Sequence, residues 1–483
     1  RAAVNGSRDD QVIFCGPGAT AAINKVIDIL GLRLPGELDS VYDFQQQIPK
    51  AQRPVVFIGS YEHHSNELPW RECIAEVVSI PLTGQGQLCL DTLDEQLKLY
   101  ADRPLKIGSF SAASNVTGIR SDVQSVTRLL KQNDALSFWD YAAAAPYVGI
   151  DMNGKTPIDA VFISPHKFVG GPGTPGVLIA KKSFMTNLVP AVVGGGTVMY
   201  VTPEDHRYID DHERREEGGT PAIVESIRAG LVFKLQQEVG TGEIERREHN
   251  YVCRALEHFS NCPNIEVLGS TEATRLSIMS LRFKHGDKDL HYGFVVSLLN
   301  DLFGIQVRGG CSCAGPYGHS LLGMDMEYSR AIESEIEQGA IILRPGWVRL
   351  NFNYFIAEDE FQYLLRAIEL VAQHGWRLLP FYHFDTTAAI WRFQGQRSAM
   401  VSSLETIQFA DYCRRPPPYD HLTLDLAELC DQAEGELCLK NRDGETSALE
   451  LSDESERLRW FVLPQELSAE LEPPAEPSLA GLN

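Results

Sequence analysis

No run of about 18 apolar residues occurs anywhere in the 483-residue chain, so a membrane-spanning helix is not expected. Positive charge is also in short supply. Lys and Arg number 43 against 65 Asp and Glu, a formal charge of −22, which argues against a nucleic-acid backbone or an anionic membrane surface as the main partner. Any anionic ligand must therefore be held by a local arrangement of donors. The ten cysteines show no repeated framework spacing, as in proteins of a reducing compartment, and no internal repeat is found. The chain opens at Arg1 without a methionine or a signal-type pattern, so an upstream segment is expected. The expected compartment is the cytoplasm, with organelle targeting left open by that upstream segment.

What is present is a core of some size. At 43% hydrophobic and 22% charged residues, the chain has the composition of a globular protein with more than one domain. From residue 11 to about 182, short apolar runs alternate with segments of helical period. The strand candidates are Val55–Ile58, Glu76–Ile80, Lys106–Phe110, Leu136–Trp139, Ala160–Ile163 and Gly176–Ala180; the helix candidates are Ala19–Leu30, Thr92–Tyr100 and Val123–Gln132. Such alternation predicts an α/β domain, residues 1–221, with a mostly parallel sheet. Residues 222–374 read as a smaller α+β domain. It opens with a long helix, Ala222–His258, interrupted near Gly240, and has strands at Ile265–Leu268, Leu276–Phe283, Ile305–Val307 and Trp347–Asn351. Its later helices are Leu290–Leu302 and Asp359–Gln373. Residues 375–420, with Trp376, Phe381, Tyr382, Phe384 and Trp391, are too aromatic for a free linker and are expected to pack on the body. Residues 421–483 hold 15 acidic and 4 basic side chains, half the net charge of the chain. They read as a docking tail or a solvated extension, disordered around Pro473, Pro474 and Pro477.

Chemistry gathers around Lys167. The run Asp159–Ile163 is apolar and partly β-branched and enters a Gly/Pro-rich loop, Ser164-Pro165-His166-Lys167-Phe168-Val169-Gly170-Gly171. A lysine at a strand's exit lies on the face where open α/β sheets bind ligands, and partial desolvation there frees the amine for Schiff-base chemistry. Ser164 and His166 add donors of the kind that hold a phosphate. Gly16-Pro17-Gly18-Ala19-Thr20 opens a helix, presenting free N–H groups and a positive dipole end to an anion. His63, in Tyr61-Glu62-His63-His64-Ser65-Asn66, follows another strand, and a flat imidazole suits stacking on a flat cofactor better than an isolated metal site. Asn115 follows a third strand. Asp140 follows a fourth, and a carboxylate there would hold a ring nitrogen protonated; Asp140 and Lys167 together form the arrangement of pyridoxal phosphate sites. In Arg308-Gly309-Gly310-Cys311-Ser312-Cys313 a cysteine pair stands near a cation that favours thiolate, and with only His319 nearby no metal is expected there. Thr220 precedes a helix after a glycine-rich loop, and Arg349 sits in Trp347-Val348-Arg349-Leu350-Asn351.

Over roughly residues 11–372 these motifs jointly resemble the class V aminotransferase family of fold-type I pyridoxal-phosphate enzymes, and within it the branch of cysteine desulfurases and selenocysteine lyases. The resemblance implies a large domain around a seven-stranded-type sheet, a smaller C-terminal domain, and pyridoxal 5'-phosphate as cofactor. It implies Lys167 as the Schiff-base lysine, Asp140 on the pyridine nitrogen, His63 over the ring and Asn115 beside it. Ala19, Thr20, Ser164 and His166 would hold the phosphate, with Thr220 reaching across from the second subunit of a homodimer. Arg349 would clamp a substrate carboxylate, and Cys313 matches the persulfide-forming cysteine. The implied reaction converts L-cysteine to L-alanine and leaves a persulfide on Cys313 for a sulfur-acceptor protein. Two other readings stand beside it: a pyridoxal-phosphate aminotransferase, epimerase or lyase on another amino acid without a role for Cys313, and a non-catalytic sulfur-relay or scaffold protein. The chain departs from the branch at Ala143, where a Gln is usual, and at Cys311-Ser312-Cys313, where a His-His-Cys loop is usual. It also begins after the segment that in the family helps form the substrate entrance.

Overall fold

The structure, a computed structural model, describes residues 1–394, 405, 425–439 and 445–471. Seven strands form the main sheet: β1 (Asp10–Cys15), β2 (Val55–Gly59), β3 (Glu76–Ile80), β4 (Lys106–Ser111), β5 (Leu136–Asp140), β6 (Ala160–Ile163) and β7 (Gly176–Lys181). Their order across the sheet is β1-β7-β6-β5-β4-β2-β3. The five strands from β3 to β6 run parallel, and β7 is antiparallel to both of its neighbours. The six strands expected from the apolar runs are all present. The expectation missed β1, an edge strand whose only strand partner among the described residues, β7, is antiparallel and distant in sequence.

Both faces of this sheet are covered, which is why its strands are apolar almost without interruption. Alternate residues of each strand serve different cores. Val55 and Phe57 join one buried cluster and Val56 and Ile58 the other; Trp139 and Phe138 divide in the same way, as do Val161 and Phe162. This two-sided burial fixes the register, because a slip of one residue would exchange the two faces. It also leaves the C-terminal ends of β2, β4, β5 and β6 as the one edge where polar loops emerge together.

A hairpin follows, β8 (Val198–Val201) with β9 (His206–Tyr208), and then two helices, Ile223–Val239 and Thr241–Ser260, divided at Gly240. The second sheet, antiparallel, contains β10 (Ile265–Val267), β11 (Ile278–His285), β12 (Lys288–Asp289), β13 (Arg308–Gly310) and β14 (Trp347–Asn351). The expected strand at Ile305–Val307 is corrected to β13, three residues later. Arg308 is thereby placed directly opposite Arg349 in the ladder. Val232 joins a core of the first sheet, whereas Ala255 and Phe259 join that of the second.

The aromatic stretch after residue 374 forms β15 (Tyr382–Asp385) and β16 (Ile390–Phe393), which bury Tyr382 and Trp391 in the second core. Helices Leu426–Leu437, Asp453–Leu458 and Pro464–Leu471, with the link between the last two, add Cys430, Ala433, Leu437, Leu458, Phe461, Val462 and Leu467 to the same core. The expectation of a solvated extension is therefore corrected for the described part of the acidic segment. On helix Leu426–Leu437 the acidic residues Glu428, Asp431 and Glu436 face outward while one apolar stripe, Cys430, Ala433 and Leu437, faces in. Pro473, Pro474 and Pro477 lie outside the described residues, as does most of 395–424. Among the described residues no helix is long and apolar enough to cross a membrane.

Candidate active site

At the common edge of the main sheet lies a cavity of about 200 Å³, lined by Ala19, Thr20, His63, Asn115, Asp140, Ser164, His166 and Lys167. Eight of the eleven residues singled out from the sequence thus meet in one place. Arg349 stands just behind, its Nη1 donating to the carbonyl of Asn115 at 3.0 Å. Cys313 approaches from the loop after β13. Thr220 is exposed and does not line the cavity in this chain.

Lys167 ends a 3₁₀ turn, Pro165–Lys167, immediately after β6. Its amine is reached by solvent through the cavity mouth, yet protein packed around it desolvates the charge and lowers its pKa, with Asp140 opposing that shift. A second cavity of about 290 Å³, lined by Tyr147, Asn351 and Tyr354 among others, meets the first at Lys167. The polar convergence is in the smaller one. Asp140 is buried at the end of β5; burial raises its pKa, while a hydrogen bond from the Ala142 N–H at 2.7 Å and the charge of Lys167 oppose this. A buried carboxylate in that position is best satisfied by a cationic N–H.

The floor of the cavity suits a phosphate. Helix Gly18–Ile29 begins there, and its N-cap residue, Pro17, supplies no side-chain cap. Ala19 N–H donates to Ser164 Oγ at 2.9 Å, and Thr20 Oγ1 pairs with Ser65 Oγ at 2.6 Å. Gly18 has φ +57°, and a Cβ there would lie 2.6 Å from His166 Cε1 and 2.8 Å from Ser164 Oγ. Glycine is thus what lets the helix start close to both side chains. These features fit the phosphate of pyridoxal 5'-phosphate, and Asp140 and Lys167 fit its ring nitrogen and aldehyde.

His63 is held by its neighbours. Its Nδ1 accepts from the Ser65 N–H at 3.0 Å, which leaves the ring proton on Nε2. Burial, with Lys167 next in weight, depresses its pKa to about 4, so a neutral ring faces the cavity at physiological pH. Behind it sits Glu62, 2% exposed, accepting from Ser111 Oγ (2.6 Å), Asn66 Nδ2 (2.8 Å), Ser111 N–H (3.0 Å) and Gly59 N–H (3.2 Å). Burial pushes its carboxyl up to about 8 against those bonds. Glu62 fastens the His63 loop to the end of β4, one strand from Asp140.

The Cys313 loop is strained and clamped. Ser312 and Cys313 both take left-handed conformations, φ 55° and 57°, at a cost of roughly 1–3 kcal/mol each. Three hydrogen bonds hold the turn. His64 N–H donates to Cys313 O at 2.9 Å, Gly315 N–H donates to His64 Nε2 at 2.9 Å, and Asn115 Nδ2 donates to Ser312 O at 2.8 Å. Arg308 Nη2 lies 3.7 Å from the Cys313 sulfur. Cys311 lines a different, largely apolar groove of about 470 Å³ with Trp347 and Met324.

Three side chains of this site, Ser65, Ser111 and Glu62, escaped the sequence reading, and a fourth, Arg308, was placed beside the thiol but not in the cavity. Ser111 ends β4 and Ser65 lies in the loop that follows β2, where the rule that found Asn115 applies equally. Arg308 carried a signal as a neighbour of the thiol, but its misplaced strand hid its place in the cavity lining. Glu62 precedes His63 directly, and nothing local announces its burial.

Comparison with known proteins agrees with this geometry. A family model described as aminotransferase class-V matches residues 1–332. A probable cysteine desulfurase of Halalkalibacterium halodurans is 28% identical over 317 residues, covering 65% of this chain and 71% of that protein. A probable cysteine desulfurase of Streptomyces coelicolor is 27% identical over 317 residues, covering 65% and 70%. Among solved structures, the apo cysteine desulfurase of Thermococcus onnurineus NA1 superposes with a TM-score of 0.61 at 23% identity, covering 77% of this chain and 81% of that one. A cysteine desulfurase of Escherichia coli gives 0.60 at 20% identity, covering 75% and 79%. At those identities the structural likeness shows the fold, that of the mixed sheet with its lysine-bearing edge. With the family model spanning more than half its length, the chain belongs to the class V aminotransferase family.

Proposed function

We propose that the cavity binds pyridoxal 5'-phosphate and that the protein is a cysteine desulfurase, converting L-cysteine to L-alanine with Cys313 taking the sulfur. The observation that carries this reading is the convergence of Lys167, Asp140 and the clamped Cys313 loop at one sheet edge. Bound there through Lys167, the cofactor supplies an electron sink that acidifies the Cα proton of an amino acid. Lys167, with its lowered pKa, is the base that removes that proton, and Asp140 is the hydrogen-bond partner that would hold a proton on a ring nitrogen, the nearby charge of Lys167 opposing the upward push of burial on its carboxyl. Arg349 offers its guanidinium to the substrate carboxylate. The Cys313 sulfur, with Arg308 Nη2 3.7 Å away, attacks the substrate sulfur as its thiolate. A sulfur–sulfur bond forms as the Cβ–S bond breaks, the electron pair passes to Cβ, which takes up a proton, and Lys167 returns a proton to Cα to complete alanine. A thiol of a sulfur-acceptor protein then takes the outer sulfur from Cys313.

A homodimer belongs to this reading. Leu188 (85% exposed), Tyr200, Val224 and Ile227 leave an apolar surface on either side of Thr220 in sequence, of the kind a second copy covers. That copy would bring Thr220 to its partner's cavity. One feature favours a second reading, in which another amino acid is the substrate. Ala143, a residue without hydrogen-bonding capacity, lines the cavity at the position of the branch's usual Gln. Borohydride reduction of the cofactor-loaded protein followed by peptide mass spectrometry tests the cofactor assignment: the adduct is expected on Lys167, and an adduct elsewhere or none overturns it.

A further inference from the structure

Far from the cavity, three side chains of metal-ligating type converge between two helices of the second unit. His258 lies in the last turn of helix Thr241–Ser260, Cys262 follows its end, and Glu369 lies on helix Glu358–His374. The imidazole nitrogen, the sulfur and a carboxylate oxygen all fall within 4.8 Å of one another. We propose that His258, Cys262 and Glu369 form a zinc site, with water as the fourth ligand.

The geometry separates this from a plain ion pair. His258 Nε2 lies 3.1 Å from Glu369 Oε2, yet the buried nitrogen has no hydrogen-bond partner among the described residues, so the two groups are close without being aligned on each other. Such a misfit is what two ligands show when both point at a third position. A tetrahedral zinc with Zn–N near 2.0–2.1 Å and Zn–S near 2.3 Å needs ligand–ligand separations of roughly 3.3–3.6 Å. The pair of Nε2 and Oε2 is already close to that, and small side-chain rotations bring the sulfur in. Cys262 is 5% exposed, so its sulfur forms the inner wall while His258 and Glu369 leave an outer opening for the ion to enter.

The surroundings orient the ligands. Gln373 Nε2 donates to Glu369 Oε1 at 2.9 Å, occupying one carboxylate oxygen and leaving the other for the metal. Asn264 Nδ2 donates to the Ala372 carbonyl at 3.1 Å, tying the Cys262 turn to the helix that carries Glu369. The Cys262 thiol now donates weakly to the His258 carbonyl at 3.5 Å. On binding, that proton leaves to solvent and the sulfur binds as thiolate. A soft sulfur with one imidazole and one carboxylate selects zinc over magnesium or calcium, which take oxygen ligands.

The test uses the full chain loaded with pyridoxal phosphate, freed of metal by a chelator and titrated with Co²⁺ as a spectroscopic probe. Expected is one equivalent bound with a thiolate-to-cobalt charge-transfer band, displaced by Zn²⁺. The band persists in Cys313→Ser and is lost in Cys262→Ser, with affinity reduced at least about 100-fold. Glu369→Gln, a change at a half-exposed position, should also lose tight binding if Cys262→Ser proves unstable. Gln373→Ala should weaken binding about 10–100-fold. Absence of the band, or a band that survives Cys262→Ser and Glu369→Gln, overturns the proposal. These readouts do not depend on turnover, so failure here leaves the cofactor reading intact.

Discussion

The main-chain N–H of His64 donates to the carbonyl oxygen of Cys313 across 2.9 Å, joining the loop after β2 to the loop after β13. The adjacent His63 faces the cavity, so the ring expected over the cofactor and the thiol expected to take sulfur are fixed to each other through two consecutive residues. The His64 side chain adds the bond from Gly315 N–H. His64→Ala removes that acceptor and frees the turn at its far end. Loss of one hydrogen bond of about 1–1.5 kcal/mol predicts roughly a tenfold fall in sulfide release, with cofactor absorbance unchanged. An equal fall in cofactor binding would place His64 in the cofactor site instead.

Gly18→Ala should act on the cofactor. A methyl at that position meets both His166 and Ser164, and φ +57° strains any non-glycine residue. The expected result is weaker pyridoxal phosphate binding by at least about tenfold, or about 1.4 kcal/mol, read by absorbance titration while the apo fold persists.

Acid stability should depend on His291. The ring is buried, accepts from Gly293 N–H and Trp391 Nε1 through Nδ1, and contacts the Ile342 carbonyl through Nε2. Burial lowers its pKa to about 3. The unfolded chain therefore takes up the proton first, near pH 6.5, so the stabilisation is complete above that pH and is lost as pH falls toward 3. It amounts to at most about 4–5 kcal/mol. Thermal unfolding followed from pH 7 to 4 should show this decline, and a non-titrating His291→Gln should flatten it.

The acidic C-terminal segment should prove structural. Phe461 is fully buried in the second core, and Trp460 stacks on Tyr292 and His291 at 6.0 and 5.3 Å. Phe461→Ala should cost about 3–5 kcal/mol, measured by denaturant unfolding. An unchanged unfolding midpoint would return the segment to the status of a dispensable tail.

The sequence announced the sheet edge clearly because each strand there is an apolar, β-branched run stopped by small or polar residues, so strand exits and polar side chains coincide. Lys167, Asp140, His63 and Asn115 were legible for that reason. β13 was not, because Ile305 and Val307 attract a strand assignment while Gly309 and Gly310 repel one. In the fold, Gly309 packs beneath Tyr292, where a Cβ would come within 2.7 Å of the ring, and that long-range fit is invisible locally. Glu62 shows the same limit from the other side: a charged residue becomes buried because four donors from three segments surround it. In the acidic segment the charge count concealed a stripe at helical spacing, Cys430, Ala433 and Leu437, that packs inward.

The most direct test of the account measures sulfide and alanine together, from the pyridoxal-phosphate-loaded protein given L-cysteine and a reductant, for the unaltered chain and for Cys313→Ala. Equal amounts of sulfide and alanine from the unaltered chain, both abolished by Cys313→Ala with the cofactor still bound, are the predicted result. A cofactor-loaded protein that forms neither product, or a Cys313→Ala variant that forms both at the full rate, would contradict it.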